Sequence, residues 1–153
     1  MPKYKLTNET KIINGKVLYR IEATRSFSDV KVGDKGGWIE EIYNLDPFTN
    51  AWVYDNACVY NLGRVVENAR VYNNVQISGG TICGDARIYD KAQIYDSAYI
   101  SRNTQIRDNA RIHGNARVWG NVHIYGNARI YGNAHIQGDS RIYGSAEVYD
   151  YGR

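Results

Sequence analysis

From Val53 onward an aliphatic residue returns every six positions: Val53, Val59, Val65, Val71 and Ile77, then Ile82, Ile88, Ile94, Ile100, Ile106, Ile112, Val118, Ile124, Ile130, Ile136, Ile142 and Val148. One residue is missing from the series near Ser78-Gly79-Gly80. Four places after the aliphatic residue stands a small or compact one, such as Ala86, Ala92, Ala98, Thr104, Ala110, Ala116 and Val122. A strand points successive side chains to opposite faces, so both positions turn inward only if a corner lies between them. Gly114-Asn115, Gly126-Asn127, Gly132-Asn133 and Asp108-Asn109 stand at that place, residue types that tolerate positive φ. Each hexad is therefore one short strand and one corner, and about 17 hexads fit. The clearest run is Tyr125 to Glu147.

Residues 1–50 lack the hexad. There, Asn14-Gly15 separates two β-favouring runs, Lys11-Ile12-Ile13 and Lys16-Val17-Leu18-Tyr19-Arg20-Ile21, and predicts a tight hairpin. Gly33-Asp34-Lys35-Gly36-Gly37 lacks the Lys-Ser/Thr ending of a phosphate-binding loop and reads as a turn. Trp38-Ile39 and Ile42-Tyr43-Asn44-Leu45 read as a strand leading into the repeat. The end of a β-solenoid exposes backbone groups and a core cross-section, so residues 1–50 are expected to form a small N-terminal β cap on a solenoid spanning 51–153.

The hexads resemble the hexapeptide-repeat family of left-handed parallel β-helices, whose motif is an aliphatic residue followed four places later by Ser, Thr, Ala or Val. The resemblance runs from Val53 to the end. It implies an all-β left-handed parallel β-helix: a triangular solenoid with three hexads per coil and coils about 4.8 Å apart. The head, with Tyr19-Arg20-Ile21-Glu22-Ala23 and Gly36-Gly37-Trp38-Ile39-Glu40, resembles poorly characterised repeat proteins of phages and prophages.

Stacking hexads in threes gives three unequal outer faces. The first carries Trp52 and Tyr54, Arg70 and Tyr72, Arg87 and Tyr89, Gln105 and Arg107, His123 and Tyr125, Arg141 and Tyr143, with no acid among them. The second carries Cys58, Tyr60, Tyr95, Arg111, His113, Arg129, Tyr131 and Tyr149, and the third Arg64, Cys83, Tyr99, Arg117, Trp119 and His135. Such ladders can be structural, with rings stacking along a sheet and guanidinium groups covering them. A flat surface rich in Tyr and Arg also has the composition of an interface centre. The first face is the expected partner-binding surface, through Trp52, Tyr54, Arg70, Tyr72, Arg87, Tyr89, Arg107, His123, Tyr125, Arg141 and Tyr143.

Composition narrows this reading only slightly. Lys and Arg exceed Asp and Glu by three, so bulk charge does not call for nucleic acid. The start lacks an apolar leader and nothing later is long and apolar enough to span a bilayer, which predicts a cytoplasmic protein with no membrane contact. Two cysteines, Cys58 and Cys83, fall on different faces and are expected as free thiols.

Relatives with this repeat include acyltransferases and carbonic-anhydrase-like enzymes. His113, His123 and His135 all sit in regular hexads on three different faces, which argues against a zinc site and against a general base beside a loop excursion. No metal and no cofactor are expected. The expected function is a non-catalytic rigid scaffold that binds a protein partner, in one version a phage-type inhibitor of a host defence system. A hexapeptide-type acyltransferase, and a nucleic-acid or nucleotide binder on the Arg/Tyr face, are the other readings. Val148, Tyr149 and Tyr151 at the C-terminal coil are expected to mediate self-association, as a dimer or, as in the family, a trimer.

Overall fold

The computed structural model describes residues 2–150. From Trp52–Val53 to Glu147–Asp150 the chain is a succession of short strands, most of them two residues long, joined by turns. Every third strand pairs in parallel, which sorts them into three walls. On the first wall Trp52 pairs with Arg70, Arg70 with Arg87, Arg87 with Gln105, Gln105 with His123 and His123 with Arg141. Corresponding corner residues are 18 apart, and 17 apart across Ser78–Gly80, where the missing residue is absorbed without loss of pairing. The result is an all-β parallel β-solenoid of about six turns. Among the described residues no helix is long and apolar enough to cross a membrane.

The aliphatic hexad positions form columns down the inside of each wall, fully buried from Val53 to Ile130, with the compact residues filling the angles between them. Each buried Ile contributes about 1.5–3 kcal/mol through removal of its side chain from water. On the last coil Ile142 and Val148 are only half-buried and Ala146 is exposed.

The corners have a second function beyond turning the chain. Down one of them run Asp55, Asn73, Asp90, Asp108 and Gly126, all with φ between 55° and 67°. Each acid or amide accepts the backbone N–H of the corner residue one coil below: Asn73 to Asp55 at 2.9 Å, Asp90 to Asn73 at 3.0 Å, Asp108 to Asp90 at 3.0 Å and Gly126 to Asp108 at 2.8 Å. These side chains satisfy donors that the turn leaves outside the sheet ladder.

The head contains three longer strands, β1 (Tyr4–Ile13), β2 (Lys16–Ala23) and β3 (Lys35–Ile39). Asn14 and Gly15 adopt φ of 50° and 78° between antiparallel β1 and β2, the hairpin that the sequence predicts. β3 pairs antiparallel with β2 and parallel with Cys58–Val59, so the head extends the second wall to nine strands. Tyr4, Phe27, Val30 and Leu45 belong to the same buried cluster as Val53.

Two sequence readings of the head are corrected. Gly36 and Gly37 lie inside β3, not in a turn. A Cβ on Gly36 would stand 2.5 Å from the Val53 carbonyl oxygen, so the double glycine lets β3 pass against the first coil. Ile42–Asn44 is a single 3-10 turn, not a strand, held by the Asn44 side chain, which accepts from the Glu41 amide at 2.8 Å and donates to the Gly63 carbonyl at 2.7 Å.

Candidate functional site

On the first wall the residue following each inward aliphatic side chain forms an outward column. Tyr54 stacks on Tyr72 at 4.5 Å and Tyr72 on Tyr89 at 4.8 Å, with interplanar angles of 14° and 6°. Arg107 takes the next place in the column, its guanidinium 4.3 Å from the centre of the Tyr125 ring, and Tyr125 stacks on Tyr143 at 5.3 Å. The spacing follows from the distance between paired strands. Ring faces inside the column are thus covered by their neighbours, and Tyr143 at its lower end is 58 % exposed. Beside it runs the column of residues preceding each aliphatic position, in which Arg87 and Arg141 are exposed and His123 is half-buried.

The structure removes one expected residue from this surface and alters two others. Trp52 is only 2 % exposed. Its ring lies edge-on to Tyr4 and Phe27, at 6.2 and 5.2 Å, because the head covers the first coil there. Asp29 of the head engages the two residues at the top of the wall. Its Oδ1 accepts a 2.8 Å hydrogen bond from the Tyr54 hydroxyl, and its Oδ2 lies 3.6 Å from Arg70. Arg70 also donates to Ser28. Burial, then the bond to Asp29, hold the Tyr54 phenol well above the usual tyrosine range. A groove of about 590 Å³ along Arg70, Arg87 and Gln105 is also flanked by Asp85. The hexad positions carry no acid, but the head and a corner each bring one to the upper wall.

The second wall repeats the stacking with a histidine in it. Tyr95, His113, Tyr131 and Tyr149 stack at 4.6, 5.2 and 5.0 Å. His113 Nδ1 lies 3.6 Å from Asp96 Oδ2, yet burial outweighs that carboxylate and holds the imidazole pKa below its ordinary value. His123 and His135 lie on the first and third walls. Among the described residues no cluster of three or more His, Cys, Asp or Glu side chains could hold a metal ion. Cys58 and Cys83 are buried free thiols, each pushed up in pKa by burial.

Of the residues expected to mediate self-association, Val148 is half-buried against the core, Tyr149 ends the stacked column of the second wall, and Tyr151 lies outside the described residues.

A search of curated proteins found no match. A family model described as the YdcK beta solenoid repeat matches residues 124–144, a little more than one coil, and agrees with a repeat β-helix architecture.

Proposed function

We propose that this chain is a non-catalytic binding scaffold whose first wall docks a protein partner. The observation that carries the reading is the pairing of a rigid, stacked column, Tyr72, Tyr89, Arg107, Tyr125 and Tyr143, with a parallel column containing Arg87, His123 and Arg141. Side chains already ordered by stacking lose little freedom when a partner covers them, so more of the contact energy appears as affinity. Tyr and Arg are also the residues most enriched at energetically important interface positions.

The test is charge reversal at Arg87 and Arg141, both to Glu, with Arg70 spared because Asp29 already holds it. Affinity capture from a lysate of the native host, followed by mass spectrometry, identifies the partner of the native chain. The double variant is expected to lose that partner at unchanged Tm. Retention of the partner by the folded variant refutes the assignment of the wall.

Finer readings belong to the same proposal. The solenoid is left-handed, as in the hexapeptide-repeat proteins that its hexads resemble. It acts in the cytoplasm and self-associates through its last coil, as a dimer or a trimer. The head's likeness to phage and prophage proteins supports use as an inhibitor that occupies a surface of a host protein.

A further inference from the structure

The third wall differs from the other two. Its outward column before each aliphatic position reads Arg64, Thr81, Tyr99, Arg117 and His135, paired strand to strand. Tyr99 is 41 % exposed and, unlike Tyr72, Tyr89 or Tyr95, it stacks on no other ring among the described residues. The Cys83 thiol donates to its hydroxyl at 3.3 Å, which commits the polar end of the side chain. What Tyr99 offers to solvent is its ring.

This ring lies at one end of a groove of about 760 Å³ lined by Ser97, Tyr99, Asn115, Arg117, Asn133 and His135. That volume is in the range of small-molecule sites. No carboxylate lines the groove, and the Arg117 guanidinium forms no ion pair with a described residue. Asp96, in an adjoining recess, accepts the Gly114 amide at 2.9 Å and faces His113. His135 is held edge-on by Trp119 at 5.8 Å, and the Asn115 amide donates to the Asn133 amide oxygen at 3.3 Å. The comparable groove on the first wall contains Asp85 and has no unstacked ring.

We infer that this groove binds a nucleotide, with the base on Tyr99 and the phosphate between Arg117 and His135. Tyr99 and His135 are two coils apart, about 10 Å at the usual strand spacing, which suits one nucleotide better than a polymer. An unstacked aromatic ring is the standard platform for a base, and guanidinium and imidazole groups suit a phosphate. Side-chain amides present the paired donor and acceptor that base edges require.

Isothermal titration of the full chain at low ionic strength with AMP and ADP tests this, alongside inorganic phosphate. One saturable site for AMP or ADP is expected. Tyr99→Ser and Arg117→Glu should each weaken it about tenfold, the effect of removing one base-stacking or phosphate contact. Tyr99→Phe should bind like the native chain, since only the ring is used. Absence of nucleotide binding overturns the inference, as does phosphate binding as tightly as AMP, or full affinity in folded Tyr99→Ser. Arg87→Glu should leave nucleotide affinity unchanged, so the two proposals on different walls succeed or fail separately.

Discussion

The Tyr54 hydroxyl donates a 2.8 Å hydrogen bond to Asp29, joining the top of the first-wall column to a loop of the head. Asp29→Ala should lower the Tyr54 phenol pKa toward the ordinary tyrosine value, because the partner that stabilises the protonated form is removed. Spectrophotometric titration of Tyr54→Phe, Asp29→Ala and the native chain isolates that hydroxyl. An unchanged Tyr54 titration in Asp29→Ala would contradict the contact.

Stability should pass through a maximum at alkaline pH. Lys3 is fully buried, donates to the Thr49 carbonyl, and has its pKa lowered by burial to about 8 from 10.5. Between those two values the unfolded chain holds a proton that the folded chain has released, so stability rises with pH. Tyr4 and Tyr54 have raised pKa values, burial being the larger cause in both. Above the ordinary tyrosine value of 10 the unfolded tyrosines ionise first and stability falls. Tm measured from pH 7.5 to 11 should rise and then drop, and Lys3→Met should remove the rising limb.

Core truncations should grade along the rod. Ile106→Ala, at a fully buried site, should cost about 2–5 kcal/mol in denaturant unfolding. Ile142→Ala, at a half-buried site on the last coil, should cost clearly less at concentrations too low for self-association through that coil. Equal costs would mean that the last coil is covered in solution.

At the corners, two replacements separate backbone strain from hydrogen bonding. Asp108 has a φ of 60° and accepts the Gly126 amide. Asp108→Gly loses the acceptor but relieves the strain, whereas Asp108→Ala loses the acceptor and keeps it. A left-handed Ala costs roughly 1–2 kcal/mol, against about 0.5–1 kcal/mol of backbone freedom lost by Gly, so Ala should be the more destabilising of the two. If Gly is clearly the more destabilising, the strain at this corner is smaller than the entropy cost of glycine.

Gly36→Ala should be among the more damaging single-methyl additions, since the new carbon would meet the Val53 carbonyl oxygen and the Ile21 side chain. Far-UV circular dichroism and Tm will show whether β3 still seats on the first coil. A native-like Tm would mean that the strand can move aside.

The hexad made the parallel walls legible because one aliphatic and one compact position recur without exception from Val53 to Val148. Even the lost residue at Ser78–Gly80 could be read, since the phase resumes at Ile82. Long-range placement of the head could not be read. Nothing local to Trp52 shows that Tyr4 and Phe27 will cover it, or that Asp29 will reach Tyr54 and Arg70. Gly36-Gly37 has turn composition, and only the approach of Val53 explains why two glycines stand in a strand. The distinctive state of Tyr99 was equally invisible, because it depends on which outward rings find neighbours after stacking, not on how many tyrosines a wall contains.

The corner positions also give the rod a direction. In its upper part the positive-φ residues include Asp55, Glu67, Asp90, Asp96 and Asp108, whereas from Gly114 to Gly144 they are glycines. Glycine corners carry no side chain, so these lower positions cannot tie one coil to the next as Asp55, Asn73, Asp90 and Asp108 do above, although the walls are built alike. Local opening should therefore start more readily from the glycine end of the rod than from the end whose turns are tied coil to coil.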